Sequence, residues 1–210
     1  IDSCDPAFGV TAQGTLLASF IKQAKYTPHR WPLYISRSED NGATWSASLA
    51  RVDGQESWNV GGSSFGKMAT LADGTILLSY GSTVPSEGRY DRQSHHTPHG
   101  NLGHTANLIR SHDGGRTWVD PVTIASGGYG EPALFHLGGD RFLVMLRGVI
   151  EGSTGLSQID SEDGGYTWTE PRRITANEEH PGDVIKLQDG RLLLTYGRRV
   201  TPWGIPGMLS

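Results

Sequence analysis

The chain has 210 residues, with 18 Lys and Arg against 22 Asp and Glu, and a net charge of −4 with both signs interspersed. That balance offers no basic surface for nucleic acid, and no apolar run approaches the roughly 18 residues a membrane-crossing helix needs. A single cysteine, Cys4, excludes an intrachain disulfide, and 29 Gly and 11 Pro scattered along the chain suit a turn-rich all-β protein.

Four stretches read as strand pairs around tight turns: residues 8–20, 64–80, 133–146 and 184–196. Their turns are Gln13-Gly14, Asp73-Gly74, Gly139-Asp140 and Asp189-Gly190, each followed by an apolar run such as Ile76, Leu77 and Leu78 or Phe142, Leu143 and Val144. Gly-containing turns between such runs signal hairpins, and unbroken apolarity signals strands buried on both faces. Aligning the turns places Thr15, Thr75, Arg141 and Arg191 in one column.

A second pattern, Ser-x-Asp-x-Gly-x-Thr-Trp, follows three of these hairpins. It begins at Ser38, Ser111 and Ser161, with its acid at Asp40, Asp113 and Asp163 and its Trp at Trp45, Trp118 and Trp168. Each residue type has a role in a turn. Asp accepts from nearby backbone N–H groups, Gly permits a positive φ, and Trp offers a large apolar plate to a neighbouring unit. The three Asp residues are therefore expected to be structural staples.

Strand-like residues lead into each box, and residues 121–124 and 171–174 lead out of the second and third. The repeating unit is a four-stranded antiparallel sheet of about 50 residues, which predicts the blade of a propeller. The last two boxes begin 50 residues apart, and Ser210 lies 49 residues after Ser161, where a fourth box would begin. One domain over residues 1–210 is expected, holding about three complete blades and a fourth lacking its box, and so incomplete at the C-terminus. An open arc of this kind would expose apolar blade faces and favour self-association. The first two boxes are 73 residues apart, and the excess falls in residues 84–103, a polar segment containing His95, His96 and His99. These, with His104, are metal-ligand types, but no Cys or carboxylate stands at fixed spacing, so a solvated loop with no metal is expected. No other cofactor is indicated. From the start at Ile1, with no Met or signal peptide there, a processed chain or a fragment is expected. The compartment is left open, with a secreted or periplasmic location compatible.

With the boxes in place, the chain resembles the sialidase (neuraminidase) superfamily of six-bladed β-propellers, whose hallmark is this repeated Asp box or BNR repeat. The resemblance implies an Arg triad for the substrate carboxylate, a Tyr nucleophile polarised by a Glu, and an Asp acid/base. It places the activating Glu at Glu131 in the catalytic role and the second triad Arg at Arg147, on neighbouring inner strands. Internal alignment independently singles out Arg147, because the same column holds Ile21, Gly81 and Gly197. The family's first Arg is replaced by Cys4, before Asp5-Pro6, and no carboxylate lies between Asp5 and Glu39 where the acid/base is expected. That loop offers Tyr26, His29, Arg30 and Trp31 instead.

Two further groupings bear on a sugar site. Asp5-Pro6 aligns with Glu131-Pro132, so two acids are expected at one axial height in different blades. Arg198 and Arg199 stand beside Trp203, a combination of guanidinium forks and an aromatic face that suits an acidic, polyhydroxylated ligand. Two functions remain at this point. One is a sialidase-like glycoside hydrolase, acting on sialic acid or a related acidic sugar in its complete form. The other is a non-catalytic glycan- or protein-binding Asp-box propeller. A glycan or acidic sugar is the expected partner, and the 210 residues alone are expected to be inactive because only the activating Glu131 is present.

Overall fold

The computed structural model describes residues 2–23, 32–56, 64–83, 104–150 and 152–210. These residues form strands and turns, with no helix among them. The loop carrying Tyr26, His29, Arg30 and Trp31 lies outside the described residues, as does the insertion with His95, His96 and His99.

The first sheet contains β1 (Asp2–Val10), β2 (Leu16–Gln23), β3 (Leu33–Ser38) and β4 (Ser46–Leu49), hydrogen-bonded in sequence order as an antiparallel meander. A short ribbon, β5 (Arg51–Val52) with β6 (Gln55–Glu56), and the two-residue β7 (Gly66–Lys67) lead onward. The second sheet repeats the meander with β8 (Ala69–Thr70), β9 (Ile76–Thr83), β10 (His104–Ser111) and β11 (Val119–Ser126). The third does so with β12 (Tyr129–Gly138), β13 (Arg141–Ile150), β14 (Ser153–Ser161) and β15 (Arg172–Arg173). A three-stranded fourth follows, joined to the third by the parallel pairing of Glu179 with Gly155: β16 (Glu179–Lys186), β17 (Leu192–Arg198) and β18 (Gly207–Leu209).

The apolar runs explain how the sheets stack. Successive side chains on a strand point to opposite faces, so a run apolar at every position must be covered on both. On β9, Ile76 and Leu78 face the first sheet, packing with Leu17, Ile35 and Trp118, while Leu77 faces the third and joins Leu134, Phe142 and Val144. On β13, Phe142, Val144 and Leu146 turn back to the second sheet, whereas Leu143 and Met145 meet Leu156, Val184 and Leu194 toward the fourth. Three apolar layers therefore alternate with the sheets.

The first strands of the sheets converge. Ala7 and Phe8 pair in parallel with Gly66 and Lys67, and Phe65 makes a parallel bridge to Ala133. Lys67 then reaches β16, where its Nζ lies 2.5 Å from Asp183 Oδ2 and donates to Val184 O at 2.9 Å.

The three boxes share one geometry. Each Ser hydroxyl donates to the Asp Oδ1 at 2.8, 2.8 and 2.9 Å, and each Thr hydroxyl donates to Oδ2 at 2.6 Å. The Thr N–H completes the set by donating to Oδ1. Thr44's hydroxyl and N–H hold the Asp40 carboxyl down to about 2, and Thr167 holds Asp163 lower still. Partial burial raises Asp113, but the Thr117 hydroxyl and N–H outweigh it and leave the carboxyl below its usual range.

The boxes also fasten neighbouring sheets. Arg37, just before the first box, donates to Gly114 O in the second, and Arg110 donates to Gly164 O in the third at 2.7 Å. Gly115 and Gly165 have φ of +83° and lie against Leu17 and Leu108 of the preceding sheet. Trp118 is fully buried in this seam, while Trp45, in the first box, remains 45% exposed.

Candidate functional site

The hairpin of β12 and β13 carries the candidate site at the end remote from the boxes. Phe142 pairs with Ser161 at the box end, and Arg147 pairs with Leu156 five residues further along, roughly 17 Å away at strand rise. On the partner strand the register slips between Gly130 and Ala133. This bulge contains Glu131, whose φ is +46°. A non-glycine residue in the left-handed region costs of order 1 kcal/mol, and bulges re-aim side chains. Here the bulge brings Glu131 Oε1 to 2.6 Å from Arg147 Nη1, which donates to it. Both side chains keep about a quarter of their surface in solvent, at 25% and 29%, so the pair is open to a ligand.

A register slip recurs at the same place on the first strands of two other sheets. On β1 the register slips between Cys4 and Ala7, and Asp5 before Pro6 has φ +54°. The backbone thus gives Asp5-Pro6 and Glu131-Pro132 equivalent settings. On β16 the slip falls between Glu179 and Gly182, and the His180-Pro181 peptide is cis. Cys4 pairs across β1 and β2 with Ile21.

The fourth sheet brings further charges to this end. Glu179 pairs with Gly155 of β14, next to Leu156, the partner of Arg147. Arg198 Nε donates to Glu179 Oε1 at 2.8 Å, and the Glu179 side chain is only 9% exposed. The Arg198 guanidinium first, and the Ala176 N–H after it, hold the Glu179 carboxyl below its usual range. Arg199 Nε donates to His180 O at 3.2 Å, and its own N–H donates to Glu178 O at 2.8 Å. Trp203 stands 73% exposed in the segment between β17 and β18, beside Ile205 at 83%. That segment is tied down by Arg198 N–H to Gly204 O at 2.9 Å. The structure thus assembles Glu131 with Arg147 and, separately, Arg198 with Glu179, and it leaves the Trp203 ring in solvent at the same end. Asp40, Asp113 and Asp163 lie at the opposite end, in the turns.

Sequence reasoning passed over Glu179 and His180. His180 is 1% exposed, and its Nδ1 is buried without a partner. Burial, then the guanidiniums of Arg147, Arg199 and Arg173, push its imidazole down to about 4, so it is neutral at ordinary pH. The signal was present: an X-Pro dipeptide opens the first strand at Asp5-Pro6, Glu131-Pro132 and His180-Pro181. Among the described residues no group of three or more His, Cys, Asp and Glu could hold a metal ion.

The signature of the BNR repeat-like domain family matches residues 3–202. In three dimensions the chain is similar to a protein of unknown function from Dyadobacter fermentans, at 24% identity and a TM-score of 0.73, over 99% of this chain and 60% of that one. It is also similar to a Hadza microbial sialidase, at 23% identity and 0.66, over 99% and 44%. An α-L-arabinofuranosidase from Fusarium graminearum aligns at 19% identity and 0.72, over 99% and 61%. The chain spans between 44% and 61% of these structures, and at such identities the likeness establishes a glycoside-hydrolase-like fold. No curated protein matches the sequence.

Proposed function

The chain belongs to the BNR repeat-like domain family and has the sialidase-superfamily type of fold, and on that premise we propose that it is the recognition half of a sialidase-like glycoside hydrolase. The four sheets are successive blades of one β-propeller domain, radiating from the convergence of β1, β7, β12 and β16. The substrate is sialic acid or a related acidic sugar. One observation carries this reading: a half-open Glu131–Arg147 pair held in a strained bulge at one end of the sheets. Strain in an open site is retained where function needs the geometry.

In this reading Arg147 pairs with the sugar carboxylate, since a planar guanidinium matches it with two parallel N–H groups. Glu131 accepts a proton from the nucleophile in the complete protein. It also orients Arg147 before the ligand arrives. Trp203 presents an apolar face to the sugar ring, with Arg199 beside it. Arg198, closed onto Glu179, contributes to the frame of the site rather than to the ligand. A non-catalytic glycan-binding propeller is the second reading. It is favoured by Cys4 at the place of the family's first Arg and by the lack of a carboxylate between Asp5 and Glu39.

Hydrolysis assays separate the two. A panel of fluorogenic sialosides and arabinofuranosides is offered to the 210-residue chain, to the full-length protein and to its Glu131→Ala variant. The hydrolase reading expects sialoside turnover by the full-length protein alone, falling ~10²-fold or more in the variant. Binding without turnover by any of them selects the binding propeller. Turnover of arabinofuranosides only contradicts the acidic-sugar assignment.

A further inference from the structure

His180 sits where a ligand held by Arg147 would be felt. The residue is 1% exposed, at the register slip of β16 that corresponds in position to the bulge carrying Glu131. Buried polar nitrogens are nearly always hydrogen-bonded, and each exception calls for an explanation. Here Nδ1 has no partner, and Nε2 lies 3.9 Å from Glu178 Oε2, too far for a hydrogen bond but close enough to pair with a charged ring. Positive charge surrounds it from three elements. Arg147 comes from β13, Arg173 from β15, and Arg199 from the segment after β17, with Arg199 anchored on the His180 carbonyl. Arg147 has Glu131 as its counter-ion, and Arg198 has Glu179. Arg173 is satisfied by the neutral oxygens of Ser153, Thr175 and Ala176, and Arg199 has no carboxylate partner among the described residues. The surroundings of the imidazole therefore hold more guanidinium than carboxylate.

Building on the acidic-sugar reading, we propose that His180 is a positioning residue of the site: it is the uncharged wedge behind Arg147 and Arg199, and it takes up a proton more readily when an anion binds them. Burial is the larger part of what keeps the ring neutral and stays in place, but an anion at Arg147 and Arg199 cancels the guanidinium part. Protonating the imidazole then becomes easier, and Glu178 is in place to pair with the charged ring. No bond other than the N–H forms, and the proton comes from solvent. By linkage, a site that gains a proton on binding must bind more tightly as pH falls. The window lies between the free ring's value of about 4 and the ordinary imidazole value near 6.5.

Sialic acid is the probe, because its carboxylate stays ionised across this window. Calorimetric titration at pH 5.5 in two buffers of different ionisation enthalpy measures proton uptake directly. Wild-type protein is expected to take up a measurable fraction of a proton and to bind more tightly at pH 5 than at pH 7. His180→Gln, which cannot titrate, is expected to bind at pH 7 within a few-fold of wild type, with no uptake and a flat profile. Imidazole NMR shifts of His180 in the wild type, with and without sialic acid at pH 5.5, read the same event without any substitution. Binding with no proton uptake, or equal uptake by His180→Gln, overturns the role of His180 and leaves the acidic-sugar reading intact. Failure of the wild type to bind sialic acid at any pH overturns both.

Discussion

Lys67 on β7, the strand paired with the first sheet, and Asp183 on the fourth meet at 2.5 Å, although 116 residues separate them. The contact brings β7, next to the first strand of the first sheet, against β16, the first strand of the fourth. Lys67 also donates to Val184 O, which gives the ammonium two acceptors. Both side chains are 41% exposed, so solvent screening limits the worth of the ion pair to about 1 kcal/mol or less. Lys67→Met is expected to lower the midpoint of thermal unfolding by a few degrees. Asp183→Asn should do the same, and the double variant should lose less than the sum. Strict additivity would mean that the two residues do not interact.

The seam between the second and third sheets should be far less tolerant. Arg110 is 2% exposed, donates to Gly164 O and lies with its guanidinium carbon 3.8 Å from the centre of the Tyr166 ring. Truncating it leaves a carbonyl short of its donor and a void, and Arg110→Ala is expected to cost about 1–3 kcal/mol. Gly165→Ala adds a Cβ 2.7 Å from Leu108 Cδ2 at a φ of +83°, and should cost as much or more. Chemical denaturation of both variants checks this. Gly14→Ala, at a positive φ with open space around it, serves as the control for backbone strain alone.

Acid sensitivity follows from the boxes. Asp40, Asp113 and Asp163 all have folded-state values below the ordinary carboxyl value near 4, with Asp40 at about 2. A depressed folded value means stability that is present above the unfolded value and is lost as pH falls through the folded one. Unfolding midpoints should therefore hold down to about pH 4 and fall between 4 and 2. Asp163→Asn should be less stable than wild type at pH 7 and should lose less on acidification. An unchanged acid slope in that variant would remove the box from the account of stability.

Much of this architecture could be read from residues. The unbroken runs at Ile76–Leu78 and Phe142–Val144 required burial on both faces, and the alternating layers supply it. Pattern alone could not place the fourth sheet's contribution to the site. Glu179 draws no notice and Arg198 is expected at the ligand rather than on a carboxylate until the register pairs the two, and His180 carries no motif beyond its Pro. Arg199 and Trp203 follow a strand end, where the course of the chain is set by backbone anchors such as Gly204 rather than by periodicity. The bulges were hidden for the same reason. A positive φ at Asp5 or Glu131 violates local preference, so propensity argues against the conformation that the structure adopts.

The strain at Glu131 makes a separable prediction. Glycine accepts the left-handed conformation without penalty, so Glu131→Gly relieves about 1 kcal/mol of backbone cost while giving up a partly exposed ion pair of comparable size. Thermal stability should be unchanged or slightly higher, and acidic-sugar binding should weaken because Arg147 loses its orienting partner. A clear loss of stability would identify the pair as a structural staple instead.

The most direct test of the central claim compares sialic acid with a neutral sugar of similar size, titrated at pH 7 into wild-type protein and into Arg147→Ala. The account predicts that wild type binds the acid and not the neutral sugar, and that Arg147→Ala loses at least tenfold in affinity for the acid while its unfolding midpoint stays close to wild type. Equal affinity of the two proteins for sialic acid would contradict it.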